Sequence, residues 1–214
     1  MHLYYLPGSC ALAPHIALEA SGLAFEAVRV ERGDQTKPAY LAVNPLGRVP
    51  ALVTTKGSVL TEVPAILSLI ADSAPASQLL PAIGDPERYE ALRWLAFLSS
   101  TVHPAFGRLW RAERFVDDVT CVQAIEHRAE RQLRDDYAHI DRMLEGRTFL
   151  VGNSVSVADF YLFVFGRWGL RLTESTRRFP NLLKHTLHIA ELAATKTALE
   201  QQDVTFEGPK SGPG

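Results

Sequence analysis

The first 70 residues alternate between short strand-like runs and longer helical stripes. His2–Tyr5 reads as a short strand that stops at Pro7-Gly8. Ala11–Ser21 then reads as a helix, with Leu12, Ile16 and Leu18 on its apolar side and Gly22 as the C-terminal stop. Phe25–Val30 returns to a strand-like alternation. Residues 31–47 are irregular apart from a short helix near Pro38–Ala42. Val49–Val53 and Val59–Leu60 flank Lys56-Gly57, a hairpin turn. Pro64 falls in the first turn of a helix running through Ile66, Leu67, Leu69 and Ile70. The order is β-α-β, a loop with a short helix, then β-β-α, which predicts an α/β layer over residues 1–74.

From residue 87 the pattern is helical only. Before it, residues 75–86 hold Pro75, Pro81, Gly84 and Pro86 and read as a linker. Leu92, Leu95, Ser99, Val102, Phe106 and Leu109 are spaced 3 or 4 apart, one face of a helix. Val122, Ile125, Ala129, Leu133, Tyr137, Ile140 and Leu144 form a second stripe ended by Gly146, with Glu130 and Arg134 paired on its solvated face. A third helix starts at Ser156-Val-Ala-Asp159, a capping box in which Asp takes the reciprocal position. That signature reads as a stability device. Shorter helices follow around 181–188 and 189–202, so residues 87–202 form an all-helical domain. The tail, residues 203–214, carries three glycines and two prolines and is expected to be loose.

Composition narrows the function classes. Of 214 residues, 47% are apolar and 21% charged, enough for a sizeable core. The net charge of −2 offers nothing to nucleic acid or an anionic membrane. No apolar run reaches the ~18 residues of a membrane span, and no secretory leader is recognisable. Cys10 and Cys121 are the two cysteines, too few for a disulfide framework, so a cytoplasmic location is expected.

Four pieces could carry chemistry. Cys10 stands between a Pro-Gly turn and a helix start, where free N–H groups favour an anion and are expected to lower a thiol's pKa. Cys10-Ala-Leu-Ala13 has no second cysteine, which argues against a dithiol redox enzyme and leaves a monothiol able to form a mixed disulfide. Pro50 enters a strand without an N–H to give, which suits a sheet edge or a cis bond beside a peptide-like ligand. Glu62 falls at a helix N-terminus, favourable for any acid and also placed to take a ligand's ammonium group. His103-Pro104 interrupts a helical stripe, so a kink at a histidine is expected. Each residue also has a plain structural reading, as core thiol, edge proline, helix-start acid or packed histidine.

Taken in order, "LYYLPGSCALAPHIAL", "AVNPLGRVPAL", "LTEVPAIL", "HPAF" and "SVADFYLF" resemble the glutathione S-transferases, in particular the bacterial beta class with its cysteine. The resemblance spans residues 1–202. It implies a thioredoxin-like N-terminal domain, an all-α C-terminal domain and a homodimer. It implies glutathione lying along the first domain, paired with Val49 before cis-Pro50, its γ-glutamyl end at Glu62 and Val63, and its sulfur at Cys10 and His103. Lys37 is the nearest counterpart of a lysine the class places after the second strand. Phe106, Trp110 and Trp168 are the apolar candidates for the electrophile's wall between the domains. No metal is implied. The implied reactions are conjugation of glutathione to electrophiles, or reduction of disulfides or peroxides through a Cys10–glutathione disulfide. The isomerase branch fits less well, because its opening has flanking serines and an arginine absent here. Ala11, Val63 and Ala96 depart from polar residues of the class and support a second reading, a weakly binding or non-catalytic protein on the same fold.

Overall fold

The computed structural model describes residues 1–172 and 175–209. The sheet contains β1 (His2–Tyr5), β2 (Glu26–Arg29), β3 (Ala51–Val53) and β4 (Val59–Thr61) in the order β2-β1-β3-β4. β1 and β2 are parallel, with Leu3 opposite Ala27, so the chain needs a crossover, supplied by α1 (Leu12–Ser21). The other two pairs are antiparallel; Leu3 faces Leu52, and Ala51 faces Thr61. α1 ends where Gly22 turns left-handed at φ 70°, a conformation that costs glycine little.

Alternation along β1 divides the sheet's faces. Leu3 points into the core with Leu12, Ile16, Ile66 and Ile70 of α1 and α3 (Val63–Ser73). Tyr4 points the other way, its ring 5.8 Å from Tyr40 of the short α2 (Pro38–Leu41). The result is a sheet with helices on both faces, followed by a helical domain, the glutathione S-transferase fold.

In that domain, α4 (Pro86–Phe97) starts at Asp85, whose carboxylate accepts the Glu87 N–H at 2.8 Å. The expected kink at Pro104 takes a different form. A π-helical turn over Leu98–Val102 joins α4 to α5 (His103–Trp110), and Pro104 falls in the first turn of α5. A proline there forfeits no hydrogen bond that a helix start would make, and the extra residue of the π turn absorbs the change of phase.

α6 (Val122–Met143) buries Ala129, Leu133, Tyr137 and Ile140 of the predicted stripe. α7 (Val157–Gly169) is buried along its whole length, with α8 (Pro180–Ala190) and α9 (Ala193–Gln201) completing the domain. A side chain at Gly166 of α7 would collide with Thr186 of α8, so only glycine lets the two helices approach this closely. Among the described residues no helix is long and apolar enough to cross a membrane.

The tail corrects an expectation. Residues 203–209 are not loose: β5 (Val204–Thr205) pairs with β6 (Gly208–Pro209), and Val204 is buried. The anchor is Arg167, a buried guanidinium on α7 that donates twice to the Thr205 carbonyl, at 3.1 and 2.9 Å. Arg177 adds an ion pair with Glu207. Residues 210–214 of the expected tail lie outside the described residues.

Candidate active site

A cavity of about 320 Å³ opens where the sheet domain meets the helical domain. The first domain lines it with Cys10, Asn44, Leu46, Arg48, Val49, Pro50, Thr61, Glu62 and Val63; the second adds Ser99, His103, Pro104, Gly107 and Tyr161.

Cys10 sits one residue before Ala11, the N-cap of α1. Only 7% of it is exposed, and its Sγ–H donates to the Val49 carbonyl at 3.7 Å. Burial pushes its pKa up to about 12. Nearby Glu62 adds to the rise, while the N–H groups of Cys10 and Ala11 oppose it. The expected lowering is therefore reversed. The helix start does offer N–H groups, but removing the thiolate from water outweighs them.

The Val49–Pro50 peptide bond is cis. The residue before it is firmly held: the Arg48 carbonyl accepts from Tyr40 Oη and Asn44 Nδ2, both at 2.7 Å. Asn44 is buried, and its Oδ1 takes the Leu46 N–H at 3.1 Å. Arg48 itself lines the cavity, exposed and without an ion-pair partner among the described residues. Antiparallel pairing of β3 and β4 brings Thr61 beside Ala51, which sets Glu62 next to Pro50.

Glu62 caps α3 with φ 68°, ψ 118°, a backbone region that costs a side chain of this kind ~1–3 kcal/mol. Its carbonyl accepts the first turn's Ile66 N–H at 3.0 Å. Its carboxylate is exposed and takes no hydrogen bond from the described residues. Val63, 4% exposed, lines the cavity without a polar side chain.

His103 lies one turn after Ser99, and the π turn carries both to the cavity. Burial lowers the His103 pKa, so the ring is neutral at pH 7. Its Nδ1 is 3.4 Å from the Tyr161 hydroxyl, which burial keeps protonated and which also bonds the Ser99 side chain. With Nδ1 turned to Tyr161, Nε2 is left for the cavity.

The structure thus gathers Cys10, Val49, Pro50, Glu62, Val63 and His103 around one space. Other predicted residues lie elsewhere. Lys37 does not line the cavity and is paired with Asp34 at 2.6 Å. Phe106, Trp110 and Trp168 do not line the cavity either: Phe106 is fully buried against Phe165 and Trp168, and Trp110 packs on Phe106 while staying half-exposed. Ala96 is exposed on α4 and stands outside the cavity.

Sequence reading missed Asn44, Leu46, Arg48, Thr61, Ser99, Pro104, Gly107 and Tyr161. Arg48 and Thr61 adjoin residues it did select, and Ser99 is one turn from His103 on the same stripe. Tyr161 is 58 positions from His103, and nothing local in the sequence ties the two together.

Residues 8–73 match the family described as glutathione S-transferase, N-terminal domain, and residues 115–193 match glutathione S-transferase, C-terminal domain. The chain belongs to the glutathione S-transferase family. Glutathione S-transferase GstA of Escherichia coli O157:H7 is 32% identical over 94% of this chain and 98% of its own. The sphingomonad glutathione S-transferase solved in complex with glutathione is 39% identical, with a TM-score of 0.85 over 96% of this chain and 100% of that one. The bacterial beta-class glutathione S-transferase of Sphingomonas chungbukensis is 36% identical, with a TM-score of 0.84 over 94% and 98%. The likeness covers both domains, so this is a glutathione transferase scaffold of the bacterial beta-class kind. Among the described residues, no group of three or more His, Cys, Asp or Glu side chains could hold a metal ion.

Proposed function

We propose that the cavity binds glutathione with its sulfur between Cys10 and His103, and that the protein uses it for conjugation and for thiol–disulfide exchange. One observation carries the reading: Cys10, His103, the Val49–Pro50 edge and Glu62 line the same cavity. Glu62, with a free carboxylate, takes the γ-glutamyl ammonium, and the Val63 N–H takes that end's carboxylate. The Val49 backbone pairs with the cysteinyl unit. Arg48, not Lys37, takes the glycyl carboxylate, since Arg48 is the cation lining the cavity. The apolar electrophile enters over Leu46, Pro104 and Gly107. The active form is a cytoplasmic homodimer, without a metal.

For exchange, the Cys10 thiol attacks one sulfur of oxidised glutathione. A Cys10–glutathione disulfide forms, the original S–S bond breaks, and the departing glutathione thiolate takes up the proton Cys10 lost. Neutral His103, which lines the same cavity, accepts that proton on the way. A thiol with a pKa near 12 needs such help at pH 7. The same raised value favours a second reading, glutathione binding without turnover.

Calorimetric titration with reduced glutathione should give a dissociation constant below about 1 mM. No heat at several millimolar overturns the binding reading. Incubation with oxidised glutathione should add one glutathione, mapped to Cys10 by peptide mass. Modification at Cys121 alone refutes the role of Cys10, and no modification despite binding favours the second reading.

A further inference from the structure

The loop carrying Cys10 is gripped from far along the chain. Gly8, two residues before the cysteine, donates its N–H to Gln202 Oε1 at 2.9 Å. Its carbonyl accepts from Trp168 Nε1, also at 2.9 Å. Both polar backbone atoms of one residue are thus held by side chains of the helical domain. Gln202 is fully buried at the end of α9, and its own amide is held in turn. Its Nε2 faces His15 Nδ1 at 3.0 Å, and His15 Nε2 faces Gln201 Oε1 at 2.6 Å.

The protons in this chain have one consistent arrangement. Because Gln202 Oε1 accepts from Gly8, its NH₂ donates to His15 Nδ1; His15 Nε2–H then donates to Gln201. His15 is fully buried on α1, the helix that Cys10 precedes. Gly8 itself turns left-handed at φ 68°, a conformation that favours glycine, with the Arg167 guanidinium and Val204 packed beside it. Arg167 also ties down the tail hairpin through the Thr205 carbonyl.

We propose that Gln202 and Trp168 are positioning residues for Cys10. By holding both backbone groups of Gly8 they fix the depth of the thiol and keep it shielded until glutathione arrives. His15 orients Gln202 for this task. The glutathione reading above is needed only for the effect on turnover; the effect on the thiol's accessibility stands without it.

The test uses the full chain carrying Cys121→Ser, which removes the exposed second thiol. Cys10 is reacted with 4,4′-dithiodipyridine well below the melting temperature. Gln202→Ala opens the loop more often, and the reaction should speed up about tenfold, the factor that follows from losing one buried hydrogen bond. Gln202→Glu keeps an acceptor for the Gly8 N–H but loses the amide that donates to His15 Nδ1, so its rate should fall between those of the parent and Gln202→Ala. Trp168→Phe keeps an aromatic ring but loses the N–H, and should speed the reaction about fivefold.

With glutathione and 1-chloro-2,4-dinitrobenzene, Gln202→Ala should lower kcat while leaving KM for glutathione unchanged. A residue that merely stabilised the fold would lower the melting temperature and leave these rates of the folded protein alone. Rates for Gln202→Ala within twofold of the parent overturn the proposal. If that variant is unfolded at the assay temperature, Trp168→Phe decides in the same way. A parent without conjugation activity refutes the glutathione reading alone, and the dithiodipyridine series still judges the loop.

Discussion

Two of the carboxylates at helix starts in this protein, Asp159 and Glu62, have opposite surroundings. Asp159, in the first turn of α7, is fully buried, and every nearby donor turns to it. It accepts from the backbone N–H groups of Leu150 and Ser156, from the Ser156 hydroxyl and from His185 Nε2, all at 2.8 Å. Glu62, at the start of α3, is exposed, strained in its backbone, and takes no hydrogen bond from the described residues. An acid whose oxygens are all taken holds the fold and has nothing left for a ligand. An acid left unsatisfied, held in a costly conformation beside a cavity, has its bonding capacity in reserve. Charge type and position on a helix do not separate the two roles; the state of the lone pairs does.

The largest way to break this contrast is Asp159→Ala. It orphans the His185 ring and two backbone N–H groups in the core, and should cost about 3–5 kcal/mol by urea unfolding. A loss below about 1 kcal/mol would show that the knot is not what fixes α7. Glu62→Gln should do the reverse, with stability within about 0.5 kcal/mol and glutathione affinity down ten- to hundredfold in a calorimetric titration. An equal loss of stability would place Glu62 with Asp159 after all.

Cys10 sharpens the comparison from the side of protonation. Its pKa is raised in the folded state, so above about pH 9 the unfolded chain gives up this proton while the folded chain keeps it up to about pH 12. Stability linked to this group is complete below pH 9 and is lost as pH rises across that window. Cys10→Ala should therefore flatten the fall in unfolding free energy between pH 8 and pH 10 by up to about 1.4 kcal/mol per pH unit above 9. Parallel slopes for the two proteins would mean that the thiol is not shielded as the structure has it. The smallest effect is expected of Val63→Ser, beside Glu62. A hydroxyl at the γ-glutamyl end should tighten glutathione about fivefold, the worth of one hydrogen bond of about 1 kcal/mol, at a similar cost in stability from the lost buried methyls. Unchanged affinity would put that end of glutathione elsewhere.

Much of this was legible in one dimension because it is local. The alternation over His2–Tyr5, the stop at Gly22, the turn at Lys56-Gly57 and the stripe along α6 all report contacts between residues a few positions apart. The capping residues Ser156 and Asp159 are three apart and readable for the same reason. The π turn was not readable, because one extra residue in a helix leaves a 3-or-4 spacing almost unchanged. The tail misled because glycine and proline favour a turn as much as a loose end, and the buried Arg167 that anchors it is 38 residues from Thr205. The ordered motifs pointed to Cys10, Val49, Pro50, Glu62 and His103, whereas Tyr161 and Arg48 needed the cavity itself.

By itself, then, the sequence determined the element order, the division into an α/β layer and a helical domain, and the family. Those rest on local periodicity and on short motifs in a specific order. Tertiary structure alone decided the burial of Cys10, the packing of Phe106 against Trp168 outside the cavity, the pairing of Lys37 away from the cavity and the grip of Gln202 on Gly8. Each is a matter of which groups are removed from water together. That depends on parts of the chain up to 194 positions apart, which a linear pattern does not encode.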